Sequence, residues 1–135
     1  MGQGSQRRGP QRHVRQSVNR RVGGRIERSV ERYLLARGLR LVARNFDCRF
    51  GEIDLVMEDR GTLVFVEVRG RSSRSLCTAV ESVGRIKQAR LILAARHLIA
   101  TRPHLAERAM RFDVVAISRG HGDNAVEWIR DAFRP

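Results

Sequence analysis

From Gly24 onward apolar residues return every three or four positions (Ile26, Val30, Tyr33, Leu34), a spacing that puts them on one side of an α-helix, and Gly38 supplies a stop. The pattern then changes. Residues 39–46, 53–57 and 62–68 are short runs rich in β-branched and aromatic side chains, which predicts three strands. Asp59, Arg60 and Gly61 separate the second run from the third, a link short enough for a hairpin. After a polar, basic stretch at 70–78, helical spacing resumes over 82–100. Ile86, Ala89, Leu93 and Ala100 are expected on its inner side, Arg85, Lys87, Arg90 and Arg96 largely away from it, and Pro103 marks the end. Residues 112–117 are almost continuously apolar, as in an interior strand, and 126–129 form a short last one. The order of elements predicts an α/β domain: a central mixed sheet of about five strands flanked by helices.

The hairpin fixes which residues face each other. If it turns at Arg60-Gly61, Asp59 lies opposite Thr62, and Asp54 falls opposite Glu67. In the same register Ile53, Leu55 and Met57 face Val68, Val66 and Val64, one fully apolar side. On the other side Val56 meets Phe65, Asp54 meets Glu67, and Glu52 meets Arg69. Like charges directly opposite on a sheet oppose folding by a few tenths to about 1 kcal/mol, unless a cation or a shared proton relieves them. Nearby arginines on a solvated face are one source of relief. A divalent ion is another: carboxylate oxygens suit Mg²⁺ or Mn²⁺, and phosphodiester hydrolysis uses such an ion to acidify water and offset charge on the leaving oxygen.

Composition narrows the partner. The 135 residues suffice for one domain, and the net charge of +13 comes from 26 arginines and one lysine, Lys87, against 14 carboxylates. That excess favours a polyanion, nucleic acid before membrane lipid. Residues 1–22 hold six arginines, three glycines, Pro10 and no carboxylate, the composition of a disordered basic arm able to lie along phosphates. The folded domain is then 23–135. The longest apolar stretch, near 91–100, is interrupted by Arg96 and His97 and cannot span a bilayer. No secretory signal appears in the first 22 residues, and Cys48 and Cys77 lack paired metal spacing, so a cytoplasmic setting is expected. His13, His97, His104 and His121 show no mutual ligand spacing, and Tyr33 and Trp128 are too scattered for a base-stacking platform.

Several of these motifs together resemble the YraN family of bacterial proteins, related to Holliday junction resolvases and to the restriction-endonuclease-like fold. They are Glu27 with Tyr33-Leu34 and Gly38; Arg44-Asn45; Gly51-Glu52-Ile53-Asp54-Leu55; Val64-Phe65-Val66-Glu67-Val68-Arg69 with Arg71; Lys87; Arg111-Phe112-Asp113-Val114-Val115; and Ala132-Phe133. The resemblance implies a restriction-endonuclease-like sheet and an acid-acid-x-basic nuclease signature, here Asp54, Glu67 and Arg69. It also implies a metal set of Asp54 and Glu67, with Glu52 as a lesser ligand and Glu27 approaching from the first helix. The wider fold usually carries lysine where Arg69 stands. Arginine stays protonated and cannot act as a general base, though it can clamp a phosphate, which makes Lys87 a second candidate for the basic role. Arg69, Arg71, Arg74, Arg85 and Lys87 are the candidate nucleic-acid contacts, and Asp113 is assigned a structural role. The expected activity is Mg²⁺- or Mn²⁺-dependent endonuclease cleavage of DNA, branched or distorted substrates included, with a homodimer implied by analogy with junction-cutting relatives. The competing expectations are a non-catalytic DNA- or RNA-binding module on the same fold, and an interaction protein whose basic arm docks an acidic partner.

Overall fold

Helix α1 (24–36) ends where its glycine requires: Gly38 has φ +94°, and the N–H groups of Gly38 and Leu39 return to the carbonyls of Leu35 and Leu34. This computed structural model describes residues 24–71, 78–118 and 125–135; the expected arm at 1–22 and Arg74 lie outside them. Three strands follow α1: β1 (Arg40–Cys48), β2 (Gly51–Asp59) and β3 (Thr62–Arg71). Arg60 and Gly61 between β2 and β3 both have positive φ, 53° and 90°, the signs of a type I′ hairpin turn. Helix α2 (Arg85–Thr101) and a 3₁₀ turn (Pro103–Leu105) lead to β4 (Met110–Ser118) and β5 (Ala125–Phe133). The sheet order is β1-β2-β3-β4-β5; β3 and β4 run parallel and the other neighbours antiparallel. A parallel neighbour needs a crossover, and α2 lies in that connection. The mixed five-stranded sheet with two helices is the expected α/β architecture, consistent with a restriction-endonuclease-like fold.

Each face of the sheet buries its own cluster. Val30 and Leu34 of α1 pack on Leu55, Met57, Val64, Val66, Val115 and Ile117. Leu91, Ala94, Ala95 and Leu98 of α2 pack on the opposite face with Val56, Phe65, Phe112 and Val114. Gly70 lies under α1, where a Cβ would stand 2.9 Å from Ile26 Cδ1, the movable end of that side chain.

Two expectations about sidedness need correction. The inner stripe of α2 is Leu91, Ala94, Ala95 and Leu98, whereas Ile86 and Leu93 are 74% and 42% exposed. Residues 91–95 are apolar on nearly every side of the helix, so spacing alone fitted two stripes, and packing against the sheet selected the other one. In β2, Leu55 and Met57 belong to the α1 cluster, but Ile53 sits with Val56 in the α2 cluster instead of beside Val68. Strict alternation therefore breaks at Asp54. The neighbouring strand has a left-handed residue at the same level, Asn45 (φ +49°), although the β1–β2 register continues unshifted from Arg44↔Leu55 to Phe46↔Ile53 and shifts only between Leu41 and Ala43.

Asp113 has the structural role expected of it. Fully buried, it accepts hydrogen bonds from Trp128 Nε1 and the Asp131 N–H, both 2.9 Å, and from Arg111. Asp131 has φ +53° and the β4–β5 register shifts beside it, so the carboxylate of Asp113 satisfies a bulge in the edge strand.

Candidate active site

The hairpin register holds from Asp59↔Thr62 to Leu55↔Val66, as the constant-sum rule predicts. At the next step the Asp54 side chain takes over: its Oδ2 accepts the Val68 N–H at 2.9 Å. That bond turns a carboxylate into the continuation of a backbone ladder. It also brings Asp54 close to Glu67.

Glu67 is 3% exposed, and its Oε2 lies 2.9 Å from Lys87 Nζ and 3.4 Å from Arg69 Nη1. The other oxygen, Oε1, is buried with no hydrogen-bond partner among the described residues. An acceptor left in that condition costs about 1–3 kcal/mol, and more when charged, so it is the polar atom of this cluster with most to gain from a further partner. Arg69 is committed elsewhere: Nη2 donates to the Ser82 carbonyl at 2.7 Å, tying the end of β3 to the turn before α2. That turn is closed by Thr78 and Glu81, whose side chains each accept the other's backbone N–H.

Electrostatics separate the two acids. Burial, then the charge of Glu67 and to a smaller extent that of Glu27, push the Asp54 carboxyl up to about 8; the Val68 N–H and Lys87 oppose this without cancelling it. The expected pair of opposed negative charges is therefore resolved unequally. Glu67 has cationic partners, while Asp54 is held toward its protonated form. Lys87, about half exposed, reaches Glu67 from the opposite side of the sheet to α1, so both helices act on the same gap between β2 and β3.

The structure thus brings Asp54, Glu67, Arg69 and Lys87 together. Glu52 lines a recess with Asp54, and Glu27 contributes through its charge. Arg85 is exposed at the start of α2, and Arg71 ends β3 opposite Ser118 of β4. Among the described residues no three of His, Cys, Asp or Glu are grouped as a metal cage. Mg²⁺ needs no such cage, since it commonly takes one or two protein carboxylates and keeps several waters.

Two residues of this region were missed as site residues. Ile86 and Arg90 line the recess, and the signal for Arg90 was its spacing, three after Lys87 on one helical face. His97 packs against the rings of Phe46 and Phe50, centroids 6.3 and 5.9 Å away, as a packing histidine would. Tyr33 and Trp128, far apart in sequence, meet edge to face at 6.2 Å, each with a guanidinium, Arg37 or Arg130, over its ring.

Fold and site together define an α/β protein of restriction-endonuclease-like architecture, with an acid–base cluster at a gap in its sheet. The uncharacterised protein family UPF0102 matches residues 26–117, a span that contains all four clustered residues. The chain belongs to UPF0102. A UPF0102 protein of Nitrosococcus oceani is 46% identical over 121 residues, covering 90% of this chain and 98% of the relative. Others from Methylococcus capsulatus and Aeromonas hydrophila are each 49% identical over 112 residues, covering 83% and 82% of this chain and 89% and 83% of the relative. No helix among the described residues is long and apolar enough to cross a membrane.

Proposed function

We propose that this protein binds nucleic acid in the cytoplasm and hydrolyses phosphodiester bonds in DNA as a Mg²⁺- or Mn²⁺-dependent endonuclease, branched or distorted DNA being the favoured substrate. The observation that carries the proposal is Glu67 Oε1, a buried carboxylate oxygen without a partner, beside Asp54 and under Lys87. An all-oxygen donor set next to an unsatisfied acceptor fits a hard divalent ion. Asp54 and Glu67 would hold it, with Glu52 and Glu27 adding negative charge nearby. Such an ion supplies Lewis-acid stabilisation of phosphoryl charge and a more acidic bound water.

The protein's own residues do the rest. Lys87 orients Glu67 and presents an ammonium toward the recess, where it can hydrogen-bond a phosphate oxygen as negative charge builds in the transition state. Arg69, anchored on Ser82, fixes the position of Glu67 and adds positive charge; it accepts no proton. Arg71, Arg74 and Arg85, with the arm at 1–22, would carry the sequence-independent phosphate contacts. A homodimer would let two such sites act on one branched substrate.

The test is incubation of the full-length protein with branched, flapped, nicked and linear DNA in Mg²⁺, Mn²⁺ or EDTA. Cleavage with either metal that is lost in EDTA and in Lys87→Met and Glu67→Gln is the expected result. A second reading, a binding module without chemistry, draws on Arg69, an arginine where the wider fold usually carries lysine and one already bonded to the Ser82 carbonyl. It prevails if the parent binds the panel but neither cuts it nor gains thermal stability from Mn²⁺.

A further inference from the structure

The recess beside Asp54 is larger than a hydrated ion needs. It encloses about 410 Å³, within the range of cavities that hold a small organic ligand. Its walls differ in chemistry. Glu52 and Asp54 form the β2 side, Lys87 and Arg90 the α2 side, and Ile86 adds an apolar surface. Ile86 is 74% exposed, the most exposed large hydrophobic side chain among the described residues, and the inner stripe of α2 begins only at Leu91. The core therefore makes no use of it.

The start of α2 is also unusual in charge. No side chain caps Gly84, the first turn has no acidic residue, and Arg85 and Lys87 stand there instead. Cations at a helix N-terminus run against the helix dipole; the Glu67 carboxylate relieves Lys87 at 2.9 Å, and an anion bound at the same place would relieve Arg85. In an intact duplex the bases are stacked inside, so the protein meets a ridge of phosphates with nothing to set against an apolar wall. A nucleotide outside the stack offers both parts at once, a phosphate for the cations and a base face for the isoleucine. Apolar side chains are the common means of holding or wedging bases out of the stack.

We propose that the recess takes one unpaired nucleotide, its phosphate against Lys87 and Arg90 and its base against Ile86, so that the preferred substrate has unpaired nucleotides beside a duplex. This rests on the nucleic-acid reading of the same site, and it names the element within a branched structure that is recognised.

The full-length protein would be titrated in Ca²⁺ or EDTA, to suppress cleavage, with two DNAs of one sequence. One is a continuous duplex and the other carries a short single-stranded flap, with 2-aminopurine at the junction in both. The parent should bind the flapped DNA about tenfold tighter, the size expected for covering most of one isoleucine side chain, and change the fluorescence of the unpaired 2-aminopurine. Ile86→Ala should bring the affinity ratio close to one, while Ile86→Met keeps most of it; an exposed position leaves the fold intact, which a urea melt checks. Equal affinity of the parent for the two DNAs, or an unchanged ratio in Ile86→Ala, overturns the inference. Cleavage of the same DNAs in Mn²⁺ is scored separately. Cutting without flap preference keeps the nuclease reading and removes this one, and flap preference without cutting does the reverse. Binding to neither DNA removes both.

Discussion

Replacing Asp54 with asparagine should make the metal-free protein more stable at alkaline pH and leave its stability at acid pH nearly unchanged. In the folded protein the Asp54 carboxyl is raised from 3.8 to about 8, by burial first and by Glu67 next. A raised folded-state value means that the folded chain holds the proton more tightly than the unfolded chain. The stabilising contribution is then complete below about pH 4 and is lost as pH rises through about 8. Each tenfold change in proton affinity is worth about 1.4 kcal/mol, so ionising Asp54 in place costs about 6 kcal/mol as an upper bound. Local entry of water brings the expected loss to roughly 2–4 kcal/mol. Asparagine copies the protonated acid and keeps an oxygen for the Val68 N–H, so the variant has no such loss. Urea unfolding in EDTA at pH 5 and pH 8.5 gives the two free energies for parent and variant. The variant's advantage should be under about a third of its full size at pH 5 and close to full size at pH 8.5. An advantage of equal size at both would refute the assignment, because the remaining charges of the protein are common to the two chains.

Other outcomes follow from the packing and the charge. Leu98→Ala, inside the α2 cluster, should cost about 2–5 kcal/mol, whereas Leu93→Ala on the exposed side should cost under about 1 kcal/mol; urea unfolding ranks the two faces of α2. Arg69→Ala removes the bond to the Ser82 carbonyl and the contact with Glu67, and should destabilise by about 1–3 kcal/mol, with Arg69→Lys in between. DNA affinity should fall steeply with salt, and deleting residues 1–22, which carry six arginines, should lower the log–log slope by up to about 5. An unchanged slope in that deletion would exclude the arm from the phosphate contacts.

The hairpin was legible because its information is local. Arg60-Gly61 sets the turn, the turn sets the register, and the register placed Asp54 and Glu67 at one level of the sheet. The contact of Lys87 with Glu67 was not legible in that way. It joins two residues 20 positions apart through a crossover helix, and the rotation of α2 about its axis decides it. Periodicity left that rotation open, since residues 91–95 present an apolar surface on nearly every side. The same ambiguity put Ile86 inside, where it is exposed. The break of alternation at Asp54 was hidden for a different reason. Glu52, Ile53, Asp54 and Leu55 alternate faultlessly in sequence, and Ile53 joins the other cluster only in the fold, beside the left-handed Asn45 of the neighbouring strand.

That break explains how one site can be assembled from both sides of a sheet. A continuous ladder keeps its faces apart: side chains alternate, and helices on opposite faces reach different residues. Here the backbone pairing of β2 with β3 gives way after Leu55↔Val66, and a side chain, Asp54, accepts the N–H of Val68. The charge of Glu27 on α1 and that of Lys87 on α2 both act on that carboxyl group. Substituting Asp54 with alanine would leave the Val68 N–H without its acceptor and so should cost more than the asparagine change, although both remove the same charge. The comparison is informative because electrostatics alone predicts equal effects. If alanine and asparagine are equally stable at pH 8.5, the Asp54 bond contributes nothing to closing the sheet. If alanine is lower by about 1–3 kcal/mol, the value of an unmade buried hydrogen bond, then the residue proposed to hold a metal is also the one that holds the gap in shape.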